Sequence, residues 1–130
     1  MKLIHSMIRV RDEARSLAFY AEAFGLMVKD RYDFADFSLI YLANSESAFE
    51  LELTVNKGRE TNYVIGDGYG HLAILVEDID HLHGRLSANS FGPTPLKSLD
   101  HEGRPLARFF FLTDPDGYRI EVLQRGGRFQ

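Results

Sequence analysis

His5 and His71 each open an apolar stretch that closes on an aspartate. His5-Ser-Met-Ile-Arg-Val-Arg-Asp12 lies on His71-Leu-Ala-Ile-Leu-Val-Glu-Asp78 at an offset of 66, with Ile8 on Ile74 and Val10 on Val76. Phe24-Gly25 lies on Phe91-Gly92 at an offset of 67. Phe49-Glu-Leu51-Glu52-Leu53 lies on Tyr118-Arg-Ile120-Glu121-Val122 at an offset of 69. Each half of the chain therefore carries one His near its start and one Glu near its end, both set in apolar surroundings. A lone His in such a place is usually a satisfied hydrogen-bonding group. Four donors on equivalent repeat positions point to a shared site. Two imidazoles and two carboxylates suit a borderline divalent ion such as Ni, Co, Zn, Mn or Fe(II). Without such an ion, burying the carboxylates is costly.

The elements that position these donors follow from periodicity and punctuation. Residues 3–10 read as a strand, and Asp12 as the N-cap of a helix whose apolar positions are Leu17, Tyr20, Ala21 and Phe24, stopped by Gly25. Strands follow at about 27–33, 37–43 and 48–55, then a glycine-rich loop over 56–70. A strand restarts at His71 and runs to Val76, Asp78 caps a second helix with Leu82 and Leu86, and that segment ends in Asn89-Ser-Phe-Gly-Pro93. Strands recur at about 106–113 and 118–124, divided by the turn Asp114-Pro-Asp-Gly117. The expected class is α+β, with strand, helix and three strands given twice, in one domain over 1–130 made of repeats at about 3–56 and 70–124. Strand alternation puts Leu3, His5, Met7 and Arg9 on one face and Ile4, Ile8 and Val10 on the other. Likewise Glu50, Glu52 and Thr54 oppose Phe49, Leu51 and Leu53, and Arg119, Glu121 and Leu123 oppose Tyr118, Ile120 and Val122. One face of each sheet is thus apolar, and the other presents a His and a Glu.

Composition narrows the function classes. A net charge of −4 argues against general nucleic-acid binding. With no cysteine, disulfides, thiolate metal sites and cysteine nucleophiles are excluded, so any metal is held by His and carboxylate. No apolar run approaches the ~20 residues that span a bilayer, and the N-terminus lacks a signal-peptide core. A cytoplasmic globular protein is expected. His81 and His83 lie two apart on a helix and His101 sits in a polar loop, so all three are read as solvent-exposed. The glycine-rich loop lacks the Lys-Ser/Thr of a phosphate loop. Phe109-Phe-Phe-Leu112 reads as core and interface strand, and the tail Arg125-Gly-Gly-Arg128 as frayed.

At His5-Ser-Met-Ile-Arg-Val, Glu52-Leu-Thr-Val-Asn56, Tyr69-Gly-His71-Leu-Ala and Asp114-Pro-Asp-Gly-Tyr-Arg-Ile-Glu121, the chain resembles the vicinal-oxygen-chelate superfamily and, within it, the glyoxalase I family. The resemblance spans residues 5–124. It implies paired βαβββ modules forming curved mixed sheets, and a site completed in a homodimer. It implies isomerisation of the methylglyoxal–glutathione hemithioacetal to S-lactoylglutathione. It carries His5, Glu52, His71 and Glu121 over as metal ligands, and Arg9 and Asn56 as glutathione contacts. Glu52 and Glu121 are both candidates for moving the proton, with Glu121 implied as the main base. One divalent ion per site is expected, Ni(II) or Co(II) before Zn(II), by likeness to the compact bacterial forms. The segment Thr94–Arg108 is longer than in those forms. There the family supplies a cation to glutathione, for which Lys97, Arg104 and Arg108 are candidates. Arg9 is the clearest asymmetry of the repeat, since its counterpart is Leu75.

Two other readings compete. Another metalloenzyme of the superfamily, an extradiol dioxygenase or an epimerase, shares the fold, but the dioxygenase type uses two His and one Glu and has no need of Glu52. A non-catalytic ligand-binding or resistance protein has no use for four metal ligands.

Overall fold

The computed structural model describes residues Met1–Gln130, which divide into two compact units, Met1–Val64 and Ile65–Gln130. The first unit holds β1 (His5–Arg9), α1 (Glu13–Phe24), β2 (Met27–Asp33), β3 (Phe37–Ala43) and β4 (Glu50–Asn56). The second holds β5 (Leu72–Val76), α2 (Ile79–Ala88), β6 (Lys97–His101), β7 (Arg104–Thr113) and β8 (Arg119–Gln124). Each is a βαβββ module with one mixed sheet, ordered β1-β4-β3-β2 and β5-β8-β7-β6. The first and last strands of each module run parallel and the remaining pairs antiparallel.

Local chemistry sets the helix ends. The Asp12 carboxylate accepts from the Arg15 N–H at 3.0 Å, and Asp78 accepts from His81 N–H at 2.9 Å. Gly25 stops α1, its N–H donating to the Ala21 carbonyl at 2.9 Å. The core of unit 1 is Ile8, Val10, Tyr20, Ala23, Ile40, Leu42, Leu51 and Leu53, all buried. That of unit 2 is Ile79, Leu86, Phe110, Leu112, Ile120 and Val122. Burying each Leu or Ile stabilises by roughly 1.5–3 kcal/mol, which fixes the strand register, because a slip by one residue would turn these side chains to the other face.

Several expectations are corrected. The segment Thr94–Arg108 is not a loop: it contains β6 and the start of β7, joined by a two-residue turn in which Glu102 (φ 50°) and Gly103 (φ 74°) are both left-handed, as a type I′ hairpin requires. His101 is accordingly the last residue of a strand. β6 is exposed along its whole length, so it carries no apolar alternation to reveal it. It is an edge strand with a register shift between Leu99 and Asp100, and β2, its counterpart, is also fully exposed and shifted between Val28 and Asp30. Such irregularity protects an edge from further pairing. His83 is half-buried, its Nε2 2.9 Å from the Thr94 carbonyl and its ring edge-on to Phe110 at 5.0 Å. The tail is tied back. Arg125 pairs with Glu77 at 2.7 Å, its N–H donates to the Val76 carbonyl at 2.8 Å, and Gly126 and Phe129 exchange backbone hydrogen bonds.

Candidate functional site

Parallel pairing of β1 with β4 sets Met7 opposite Glu52, and pairing of β5 with β8 sets Ala73 opposite Glu121. In each unit the His stands two residues before that partner, on the same strand face. The result is the same in both: His5 Nε2 lies 3.3 Å from Glu52 Oε2, and His71 Nε2 lies 3.1 Å from Glu121 Oε2. The carboxylates are the more sheltered members, with side-chain exposures of 10% for Glu52 and 17% for Glu121 against 35% and 42% for the two imidazoles. In neither unit does a third His, Asp or Glu join its pair.

The separations test what these pairs can hold. Two ligand atoms bonded to one ion at about 2.0–2.2 Å lie roughly 3 Å apart. Both pairs have that spacing, and both consist of donors that suit a borderline divalent ion. Glu50, two residues from Glu52 on the same face, is engaged otherwise: it forms an ion pair with Lys29.

The surroundings of the pairs differ more than the pairs do. An aromatic ring lies edge-on to each imidazole, Tyr41 at 5.8 Å from His5 and Phe111 at 5.5 Å from His71. These rings sit at equivalent places, Tyr41 across from Glu52 and Phe111 across from Glu121. The Glu52 carboxylate across the strand pair, with burial, pushes the Tyr41 phenol pKa up to about 12. Thr54 Oγ1 donates to Glu52 Oε1 at 3.4 Å. Around Glu121 the corresponding residues are Phe111 and Leu123, which have no hydroxyl. Arg119 lies over the Phe111 ring, 4.1 Å from its centroid. Tyr41 is the site neighbour that reading the sequence missed. Alternation within 37–43 and the register against 50–56 together would have found it.

The other expected contacts are placed as follows. Arg9 is exposed on the His5 face of β1, across from Thr54. Asn56 closes β4, its Nδ2 donating to the Tyr63 hydroxyl at 2.8 Å. Of the three candidate cations, Arg108 is held by Asp80 of α2, with Nη2 2.7 Å from Oδ1, while Lys97 and Arg104 lie exposed on β6 and β7. Asp114, which opens the Asp-Pro-Asp-Gly turn, is structural. It is buried, and its Oδ1 accepts from the Asp116 and Tyr118 N–H groups at 2.9 Å each. Gly117 completes that turn at φ 98°, where a Cβ would come within 3.4 Å of the Ile65 side chain.

Compared with known proteins, residues 2–122 match the Glyoxalase/Bleomycin resistance protein/Dioxygenase superfamily. The chain belongs to this superfamily. Among its relatives, a probable lactoylglutathione lyase of Synechocystis is 37% identical over 98% of both chains. The lactoylglutathione lyase of Salmonella typhimurium is 33% identical over 95% of this chain and 93% of that one. Among solved structures, a trypanothione-dependent glyoxalase I of Leishmania major superposes with a TM-score of 0.75 at 36% identity, covering 95% of this chain and 86% of that one. Glyoxalase I of Zea mays gives a TM-score of 0.81 at 29% identity, and this chain spans 45% of its length. The fold shared with these structures is carried by the two βαβββ modules and their mixed sheets. The His–Glu pairs join the first and last strands of each module.

Proposed function

We propose that the protein is a glyoxalase I, converting the hemithioacetal of methylglyoxal and glutathione to S-lactoylglutathione. The observation that carries this reading is the duplicated His–Glu pair at ligand spacing, in a chain whose near full-length relatives are lactoylglutathione lyases. One pair gives two donors, so a divalent ion needs both: His5, Glu52, His71 and Glu121. If the ion is six-coordinate, about two positions stay open for oxygens, whereas tetrahedral closure by the same four would make a structural site. When bound, the metal supplies Lewis-acid stabilisation of the negative charge that develops on the vicinal oxygens.

The chain's own residues do the rest. Glu121 takes the proton from C1, leaving the ene-diolate, and returns it to C2, acting as general base and then general acid. His5, His71 and Glu52 fix the ion. Arg9 holds a distal carboxylate of the glutathione moiety, for which a bidentate guanidinium is suited. Asn56 is a second contact to the tripeptide. Arg9→Leu, the residue found at the equivalent place in the second unit, is expected to lower kcat/KM on the order of 10–100-fold, mostly through KM, with metal content unchanged. Steady-state kinetics and metal analysis check it, and unaltered kinetics remove Arg9 from the site.

A homodimer belongs to the reading. β2 leaves Met27, Val28 and Tyr32 exposed on an edge strand, apolar side chains that a second copy of the chain would cover. A cytoplasmic setting also belongs to it, since glutathione is the cytosolic thiol buffer; no helix is long and apolar enough to cross a membrane. The test is a spectrophotometric assay with methylglyoxal and glutathione on protein stripped of metal and reloaded. The expected result is about one divalent ion per chain, with Ni(II) or Co(II) restoring more activity than Zn(II). A protein that binds no divalent ion and forms no S-lactoylglutathione overturns the proposal; a clear preference for Zn(II) overturns only the metal assignment.

A further inference from the structure

The two units join their first and last strands differently at the end where the imidazoles stand. In unit 1 the parallel register begins at the histidine itself, His5 with Glu50, and a backbone bond from the Glu50 N–H to the Ile4 carbonyl at 3.0 Å carries it one residue further. In unit 2 the register begins one pair later, Leu72 with Ile120, so His71 stands just outside the strand. A side chain closes the gap. The Tyr69 hydroxyl accepts from the Leu72 N–H at 3.2 Å and donates to the Arg119 carbonyl at 2.9 Å. The Tyr69 ring is seated edge-on against buried Tyr118, with centroids 5.2 Å apart. The repeat counterpart of Tyr69 in unit 1 is Leu3, which is exposed and has no hydroxyl.

We infer that Tyr69 is a positioning residue whose hydroxyl clasps the backbones of β5 and β8 at one oxygen and so sets the separation of His71 and Glu121. The inference rests on the proposed metal site. Residues at a strand end fray, because little of the ladder holds them. His71 has such a place, and a swing of its backbone would carry the imidazole away from an ion that Glu121 also holds. The clasp restrains it from both sides in sequence: Tyr69, two residues before, is tied to Leu72, one residue after. The contact to Arg119 ties the same oxygen to the strand of Glu121, two residues ahead of that carboxylate. The 3.1 Å separation of the pair is thereby held without an ion, and ligands fixed in advance bind more tightly than ligands the ion must order. A hydroxyl both donates and accepts, so one atom fills both roles, whereas a phenyl ring of the same shape fills neither. Without that oxygen the Leu72 N–H and the Arg119 carbonyl must meet water or each other, and either change moves His71.

The test compares Tyr69→Phe with the parent protein, first free of metal and then with Co(II). In the metal-free proteins, amide hydrogen exchange reads the clasp directly. The Leu72 N–H is expected to be protected in the parent and to exchange about 10-fold faster in Tyr69→Phe, while Ile120 and Val122, in the buried part of β8, keep the parent's rates. Co(II) titration is expected to show affinity lower by about 10-fold in Tyr69→Phe, with an altered visible spectrum of the bound ion. A loss of general stability alone would leave that spectrum unchanged. Should Tyr69→Phe melt early, the parent still decides, because a Leu72 N–H that exchanges there as fast as an unprotected amide overturns the inference. Leu72 exchange that is the same in both proteins also overturns it. If the parent binds Co(II) and Tyr69→Phe binds it as tightly with the same spectrum, the inference is overturned and the proposed function stands. A parent that neither binds Co(II) nor turns over ends the proposed function, and the inference with it.

Discussion

His5→Ala and Glu121→Ala chains, each inactive alone, are expected to recover roughly a quarter of the parent activity when they are mixed and allowed to exchange subunits at random in a two-fold dimer. The reasoning is combinatorial. Each chain supplies one pair from its first unit and one from its second. If each site takes the His5–Glu52 pair of one chain and the His71–Glu121 pair of the other, a mixed dimer gathers both lesions in one site. Its other site is intact. Half of all dimers are mixed under random exchange, and each has one good site of two. Each variant alone has the same lesion in every site, and loss of a ligand outweighs the 10–100-fold affinity loss that follows removal of a partner one bond farther out. Should each site instead be built within one chain, both sites of the mixed dimer carry a lesion and mixing restores nothing. Activity measured after a denaturation–renaturation cycle of the mixture, with dimer mass followed by light scattering, separates the two. A monomer by light scattering would also end the idea.

The features legible without coordinates are those with strong local chemistry. Asp12 and Asp78 announce helix starts because a carboxylate accepts the free N–H groups of a first turn, and both do so. The core strands are legible because one apolar side chain in two must be buried, as at Ile40 and Leu42 or Ile120 and Val122. Residues 97–101 have no such requirement. The strand exists because β7 offers it an edge and Glu102-Gly103 turns the chain, and neither leaves an apolar pattern. His83 is similar: helical spacing says where it points, but its bond to the Thr94 carbonyl depends on a segment far along the chain. In the candidate site, the repeat identifies the four donors by type and position. The unequal setting of the two glutamates is not in the repeat, because it depends on cross-strand neighbours, Tyr41 and Phe111. Assigning these needs the register of two strand pairs at once.

Glu121→Gln is expected to keep most of the metal and to lose on the order of 10²–10⁴-fold in kcat, the usual worth of general base catalysis. Glutamine preserves the size of the side chain and a carbonyl oxygen for the ion, but removes the site that accepts the C1 proton. Repeat symmetry cannot assign this task, since Glu52 lies at the matching place with its own imidazole at 3.3 Å, against 3.1 Å for Glu121. The surroundings do distinguish them. Glu52 has Tyr41 across from it and accepts from Thr54 Oγ1 at 3.4 Å. Glu121 has an apolar ring across from it and the greater side-chain exposure, 17% against 10%. Glu52→Gln is therefore expected to act mainly on metal affinity and to cost less in kcat once metal is saturating. Glu50→Gln is the control. Glu50 shares the face of Glu52 but is paired with Lys29, so its loss should leave metal content unchanged. If Glu50→Gln empties the site while Glu52→Gln does not, the ligand lies two residues earlier than assigned. If Glu121→Gln turns over at the parent rate with metal bound, another group moves the proton, and the assigned mechanism is wrong even with the metal site intact.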